Sequence, residues 1–178
     1  LLVLIPLLSA SLAQAESEYG IGDPSVYLAV SGLFAWDVGE WDSGNNENGG
    51  ATFRAGVRVG APLAFELQGD YTNLKAWRKV NRWDMTLNFR VYPTQLELLK
   101  GFVPDFVQPY VVAGAGVMGG DPAGDKYQLS GAFRLGLGSD FYVTEQMAVS
   151  LGYEWVTGTS FWSDAEALNL TLGVQYNF

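Results

Sequence analysis

Polar and apolar residues alternate with a period of two along most of this chain. The clearest case is segment 168–178. Leu168, Leu170, Leu172, Val174, Tyr176 and Phe178 fall on one face, and Asn169, Thr171, Gly173, Gln175 and Asn177 on the other. Successive side chains of a strand point to opposite faces, so this segment predicts a strand with one apolar and one polar surface. Seven further segments repeat the pattern less cleanly: 26–36, 51–59, 63–71, 83–92, 110–118, 129–137 and 147–155. In 83–92, Trp83, Met85, Leu87, Phe89 and Val91 stand against Asp84, Thr86, Asn88 and Arg90. Segment 110–118 is built from glycine, alanine and valine between Tyr110 and Met118, and its facing cannot be assigned. The eight segments each approach the roughly 9–11 residues that a tilted membrane strand needs.

The charges decide which face is inside. All four lysines (Lys75, Lys79, Lys100 and Lys126) fall in proposed connections, whereas a soluble barrel would scatter lysines over its outer wall. The strand charges fall on the polar face and balance: Arg54, Arg58, Arg90 and Arg134 against Glu66, Asp70, Asp84 and Glu154. Opposite charges in a narrow lumen can neutralise one another, as buried charges require. On a lipid-facing wall, an arginine near the bilayer midplane would cost about 2–4 kcal/mol. The predicted fold is therefore all-β, an eight-stranded antiparallel up-and-down transmembrane β-barrel with a polar lumen.

Tryptophan sets the orientation. Trp36, Trp41, Trp77, Trp83, Trp155 and Trp162 all fall at one set of strand ends or in the connections 37–50, 72–82, 119–128 and 157–166. Interfacial aromatics mark a membrane boundary, and bacterial barrels keep their short turns on the periplasmic side. The Trp-bearing connections are thus expected outside the cell. The opposite connections hold Ala61-Pro62, segment 93–109 and a turn near 144–146. Within 93–109, residues 95–102 predict a short amphipathic helix.

Composition removes other classes. The chain has no cysteine and no histidine, so disulfides, thiol chemistry, Ser-His-acid triads and His-ligated metal sites are excluded. The net charge of −9 opposes binding to nucleic acid. Residues 1–8 form a short apolar run, followed by small residues and Ala13-Gln14-Ala15. This reads as a signal-peptide core with an A-x-A cleavage site, which predicts a signal at 1–15 and one barrel domain at 16–178. Beyond residue 15 no continuous apolar segment is long enough for a membrane helix.

Three pieces of the chain carry a family resemblance. The first is Thr171-x-Gly173-x-x-Tyr176-x-Phe178. The second is Leu87-Asn88-Phe89-Arg90-Val91-Tyr92-Pro93 with the later Gln108-Pro109-Tyr110 and its Gly/Ala-rich continuation. The third is Leu151-Gly152-Tyr153-Glu154-Trp155. Together they resemble the small outer-membrane β-barrel family of the OmpX/OmpA-barrel and opacity-protein type. The resemblance implies a bacterial outer-membrane location. It also implies that Thr171, Gly173, Tyr176 and Phe178 act as the signal read by the barrel assembly machinery.

Two groups of residues are candidate sites. The eight lumenal charges could line a small ion-selective pore, or they could form a salt-bridged plug, and their balance favours the plug. Lys75, Arg78, Lys79 and Arg82, interleaved with Trp77 and Trp83, could hold lipopolysaccharide phosphates, with the indoles at headgroup level. The same cluster could instead dock onto Asp37, Glu40, Asp42 and Glu47, or stay solvated. Segment 42–48 fails the EF-hand spacing. Glu66 with Asp70 is a carboxylate pair, but it points into a lumen too narrow for a glycan. The sequence therefore predicts a monomeric, non-enzymatic barrel without cofactor or metal. Its partners are membrane lipid and lipopolysaccharide, and its role is structural or adhesive. A small channel for ions or solutes is the alternative.

Overall fold

A computed structural model describes residues 25–38, 48–74, 80–96, 103–122, 128–159 and 166–178. These form a closed antiparallel barrel in the order β1-β2-β3-β4-β5-β6-β7-β8. The strands are β1 (Ser25–Asp37), β2 (Asn48–Arg58), β3 (Leu63–Leu74), β4 (Val80–Val91), β5 (Val107–Pro122), β6 (Gln128–Tyr142), β7 (Met147–Gly158) and β8 (Ala167–Asn177). Each pairs with its sequence neighbours, and β8 closes on β1 in the register Tyr27↔Asn177 to Asp37↔Ala167. Closure leaves no strand edge, the condition for a sheet to cross lipid. The signal-peptide expectation for 1–15 lies outside the described residues.

The period-two pattern maps directly onto the wall. Leu87, Leu129, Leu137, Leu172, Phe53 and Phe34 point outward and are more than half exposed, a lipid-facing band rather than a solvent surface. Asn169, Thr171, Gln175 and Asn177 point inward and are buried, as the alternation in β8 requires. Trp36, Trp83 and Trp155 also fall outside the lumen, near the loop end, and Trp36 and Trp155 both pair with Leu168. Trp41, Trp77 and Trp162 lie outside the described residues.

Two of the connections at the termini end are tight. Between β2 and β3, Gly60 adopts a φ of 114°, a backbone conformation that favours glycine. Between β7 and its predecessor, the Thr144 hydroxyl accepts hydrogen bonds from the Gln146 and Met147 amides at 3.3 and 3.0 Å. Of the helix predicted at 95–102 in the β4–β5 connection, only Gln95 and Leu96 are described. A single 3-10 turn spans Pro93–Gln95, and Leu96 is already extended. Pro93 starts this turn, but at Leu96 the backbone leaves helical geometry, so the predicted segment does not start as a helix. The stretch 97–102 lies outside the described residues.

The strands extend further than the alternation indicated, β4 towards the loops and β6 towards the termini end. β4 begins at Val80 rather than Trp83, and β6 runs to Tyr142 rather than Leu137. Both extensions change the inventory of the lumen. The facing of β5 is settled too: Tyr110, Val112 and Met118 are buried inside, and Val111 and Val117 are exposed outside.

Candidate functional site: the lumenal charge network

The lumen holds five buried arginines (Arg54, Arg58, Arg82, Arg90, Arg134) and five buried carboxylates (Glu66, Asp70, Asp84, Asp140, Glu154) among the described residues. All eight predicted charges point inward, joined by Arg82 and Asp140. Arg82 corrects the sequence reading, which placed it in a surface-contact cluster. With β4 starting at Val80, Arg82 shares the inward face of Asp84, Thr86, Asn88 and Arg90, and it is 1% exposed. Asp140 was missed because glycines at 136 and 138 dilute the alternation of β6. Its even position beside Arg134 carried the signal.

The network divides into two groups along the barrel axis. Arg134 organises the one nearer the loops. Its Nη2 donates to Asp70 Oδ2 at 2.8 Å and to Asp84 Oδ1, its Nη1 to Glu154 Oε2, and its Nε to Thr86 Oγ1 at 3.0 Å. One side chain from β6 thereby grips β3, β4 and β7. Gln68 donates to Asp70 at 3.2 Å and Glu154 at 3.0 Å, and Asn169 donates to Asp70 at 3.3 Å. Arg82 adds a second positive charge, 4.0 Å from Asp84 and 3.5 Å from the Asn169 side-chain oxygen. Two guanidiniums thus face three carboxylates.

The group nearer the termini has the opposite balance: Arg54, Arg58 and Arg90 against Glu66 and Asp140. Arg90 lies 3.2 Å from Glu66 and 3.8 Å from Asp140, an ion-pair arrangement in which none of its nitrogens makes an aligned hydrogen bond. Neutral donors complete the carboxylates. Tyr27 and Asn88 donate to Glu66 at 3.0 and 3.3 Å, and Tyr92 and Ser150 donate to Asp140 at 3.1 and 2.7 Å. The arginines also stack on aromatic faces, Arg58 at 4.1 Å from the Tyr92 centroid and Arg90 at 4.0 Å from that of Tyr110. Asn88 joins the two groups, donating to both Glu66 and the Gln68 side-chain oxygen, at 3.0 Å to the latter.

Glycines in the wall make room for these large side chains. A Cβ on Gly56 would lie 2.6 Å from a ring carbon of Tyr27, and one on Gly152 would lie 3.0 Å from the Tyr110 hydroxyl. At the loop end apolar residues join the lining: Leu33, Ala35, Met118, Ala132, Val156 and Ala167 are buried alongside Asn48 and Thr72. Polar network and apolar residues together line the bore of an eight-stranded barrel, which is only just wide enough for side chains.

The other predicted residues separate. Lys75, Trp77, Arg78 and Lys79 lie outside the described residues. In β8, Thr171 and Gly173 face inward, while Tyr176 and, just past the strand, Phe178 face outward with their rings edge-to-face at 5.0 Å. Among the described residues no group of histidine, cysteine or carboxylate side chains could hold a metal ion.

Known proteins share this architecture. The sequence profile of the outer membrane protein beta-barrel domain matches residues 1–178. Neisserial surface protein A is similar in structure, with a TM-score of 0.69 at 16% identity over 86% of this chain and 97% of that one. The outer membrane protein OprG of Pseudomonas aeruginosa gives 0.58 at 12% identity over 91% of this chain and 99% of that one. Ail, the attachment invasion locus protein of Yersinia pestis, gives 0.52 at 14% identity over 88% and 99%. At these identities the likeness establishes the fold. No curated protein matches the chain in sequence.

Proposed function

The chain belongs to the outer membrane protein beta-barrel domain family, and from that premise we propose a structural and surface-contact role with a closed lumen and no catalytic activity. Its location is the bacterial outer membrane. The observation that carries the reading is the grip of Arg134 on Asp70, Asp84 and Glu154 from three other strands. A charge-assisted crosslink of this kind braces the wall from within and leaves the bore to side chains rather than to solute.

Contact with the outside then falls to the loop end. Trp36, Trp83 and Trp155 on the outer face support a headgroup level there. The β3–β4 connection beside them carries Lys75, Trp77, Arg78 and Lys79, a composition suited to lipopolysaccharide phosphates. Arg82 has no part in that contact. During assembly, Tyr176 and Phe178 with Thr171 and Gly173 serve as the terminal signal for the barrel assembly machinery.

Single-channel recording of the refolded chain in a planar bilayer tests the closed lumen. Silence from folded, inserted protein is the expected result. Steady openings that change with Arg58→Ala would replace this reading with a small channel for ions or solutes. Loss of salt-sensitive binding to lipopolysaccharide vesicles in Lys75→Ala with Arg78→Ala is expected for the surface contact, and unchanged binding would remove it.

A further inference from the structure

The outer wall is not evenly filled where the barrel closes. A groove of about 200 Å³ lies on the lipid-facing side of the β8–β1 ladder, with apolar side chains from four successive strands around it. Met147 of β7, Val174 and Tyr176 of β8, Leu28 and Val30 of β1 and Phe53 of β2 form its sides, all exposed outward. Its floor is the wall itself at the Ala29↔Gln175 pair, whose side chains are buried inward.

The groove has a fixed end and an open one. Towards the termini, the Tyr176 ring packs edge-to-face on Phe178 at 5.0 Å, and its hydroxyl donates to the Gln146 side-chain oxygen at 3.1 Å. Met147 pairs with Tyr176 at this level, and its flexible thioether adapts to what lies beside it. Towards the middle of β1, Gly32 follows Val30 on the outward face and pairs with the small Ala51. A Cβ on Gly32 would meet nothing nearer than the Leu172 carbonyl oxygen at 3.9 Å, so bare wall continues the groove along the strand.

An apolar hollow in the hydrocarbon layer does not hold water, which needs polar partners. What selects an occupant there is van der Waals packing on several sides at once. We propose that the groove seats one acyl chain of a phospholipid from the leaflet at the termini end. Its carboxyl end lies level with Tyr176, and its tail runs past Val30 towards Gly32. The groove is continuous with the lipid-facing band, which makes lipid its occupant, and its course along β1 suits a linear chain. The acyl chain would span a ladder that no ion pair described above crosses, since those pairs join β3, β4, β6 and β7. The site is independent of the closed lumen and of the loop contact.

The test uses the whole protein refolded into vesicles of phosphatidylethanolamine and phosphatidylglycerol. A small fraction of the phospholipid carries a photoreactive diazirine on its acyl chain. Mass spectrometry maps the adducts on the groove and on Phe89 and Leu137, which face lipid in the same half of the far wall. Adducts are expected to be several-fold more abundant in the groove. A diazirine near the carboxyl end should mark Met147 and Tyr176, and one near the tail should mark Val30 and Gly32. Gly32→Leu, which fills the bare wall, should return the tail adducts to the far-wall level, and tail adducts unchanged by it would overturn the proposal. Equal yields on both walls would mean ordinary annular lipid, and a deficit in the groove would mean that a second copy of the protein covers it. Either result also overturns the proposal. Should Gly32→Leu fail to fold, the comparison of the two walls in the unsubstituted protein decides.

Discussion

Asp70 and Asp84 sit directly opposite one another across the β3–β4 ladder, both inside the lumen, and the Nη2 of Arg134 lies against both. Like charges directly opposite each other destabilise a strand pair, so the guanidinium holds together two strands whose side chains repel. Arg134→Met should destabilise the barrel by about 3–5 kcal/mol, the cost of leaving buried charges without their partner. Asp84→Asn, which removes one of the opposed charges, should be close to neutral. Arg90→Met should cost less than Arg134→Met, because Glu66 and Asp140 keep donors from Tyr27, Asn88, Tyr92 and Ser150. Urea titration of refolded protein, read by the gel shift of the folded barrel, ranks the three. An Arg134→Met barrel as stable as the parent would refute the crosslink.

Gly56 is a matter of space. The Tyr27 ring lies across it, with its hydroxyl donating to Glu66. Gly56→Ala should cost about 1–3 kcal/mol through overpacking. Tyr27→Leu should also be destabilising, yet the two together should lose less than the sum, because the smaller side chain frees the space the methyl needs. Strict additivity in the double-mutant cycle would show that the ring and the glycine do not compete.

Depth in the bilayer separates two exposed leucines. Leu87 pairs with Leu67 and Ala115 in the middle of its strand, whereas Leu129 lies one residue from the loop end of β6. Leu87→Arg should cost about 2–4 kcal/mol and Leu129→Arg about 0–1 kcal/mol. Equilibrium refolding into vesicles measures both. Equal penalties would mean that the assigned membrane band is misplaced.

Arg82 and Asn81 are adjacent but belong to opposite faces, with Arg82 buried and Asn81 exposed. The chain has no cysteine, so each can be replaced singly by a unique thiol. In folded protein, Asn81→Cys should label with a soluble maleimide and Arg82→Cys should not. Rapid labelling of both would return Arg82 to the surface cluster suggested by its neighbours in sequence.

Strand number, facing and the polar interior were legible because a period of two is the same signal in every strand, and a lipid-facing wall makes it nearly absolute. Strand ends were not legible, and the errors in the site follow from that. Arg82 sits among other loop-like charges in the sequence, and the ladders Thr72↔Arg82 and Arg82↔Gly120 show it to be part of the wall. Asp140 lies beyond two glycines that carry no facing information. The wall of β5 resisted assignment because Ala113, Gly114, Ala115 and Gly116 fit either face, and the decision comes from Tyr110 and Met118, which point inward despite being apolar. Pairings within the lumen depend on which strands come across from one another, and no local pattern encodes that.

The ladder that joins β8 to β1 has a consequence for timing. These two strands are the most distant in sequence of all the neighbours in the barrel, with Tyr27 meeting Asn177. A chain emerging from its amino end must carry β1 with one side unmatched through the appearance of every other strand. Until the final segment arrives there is only a curled sheet with two sticky margins. Insertion cannot be completed strand by strand, and something must shelter that first margin in the meantime.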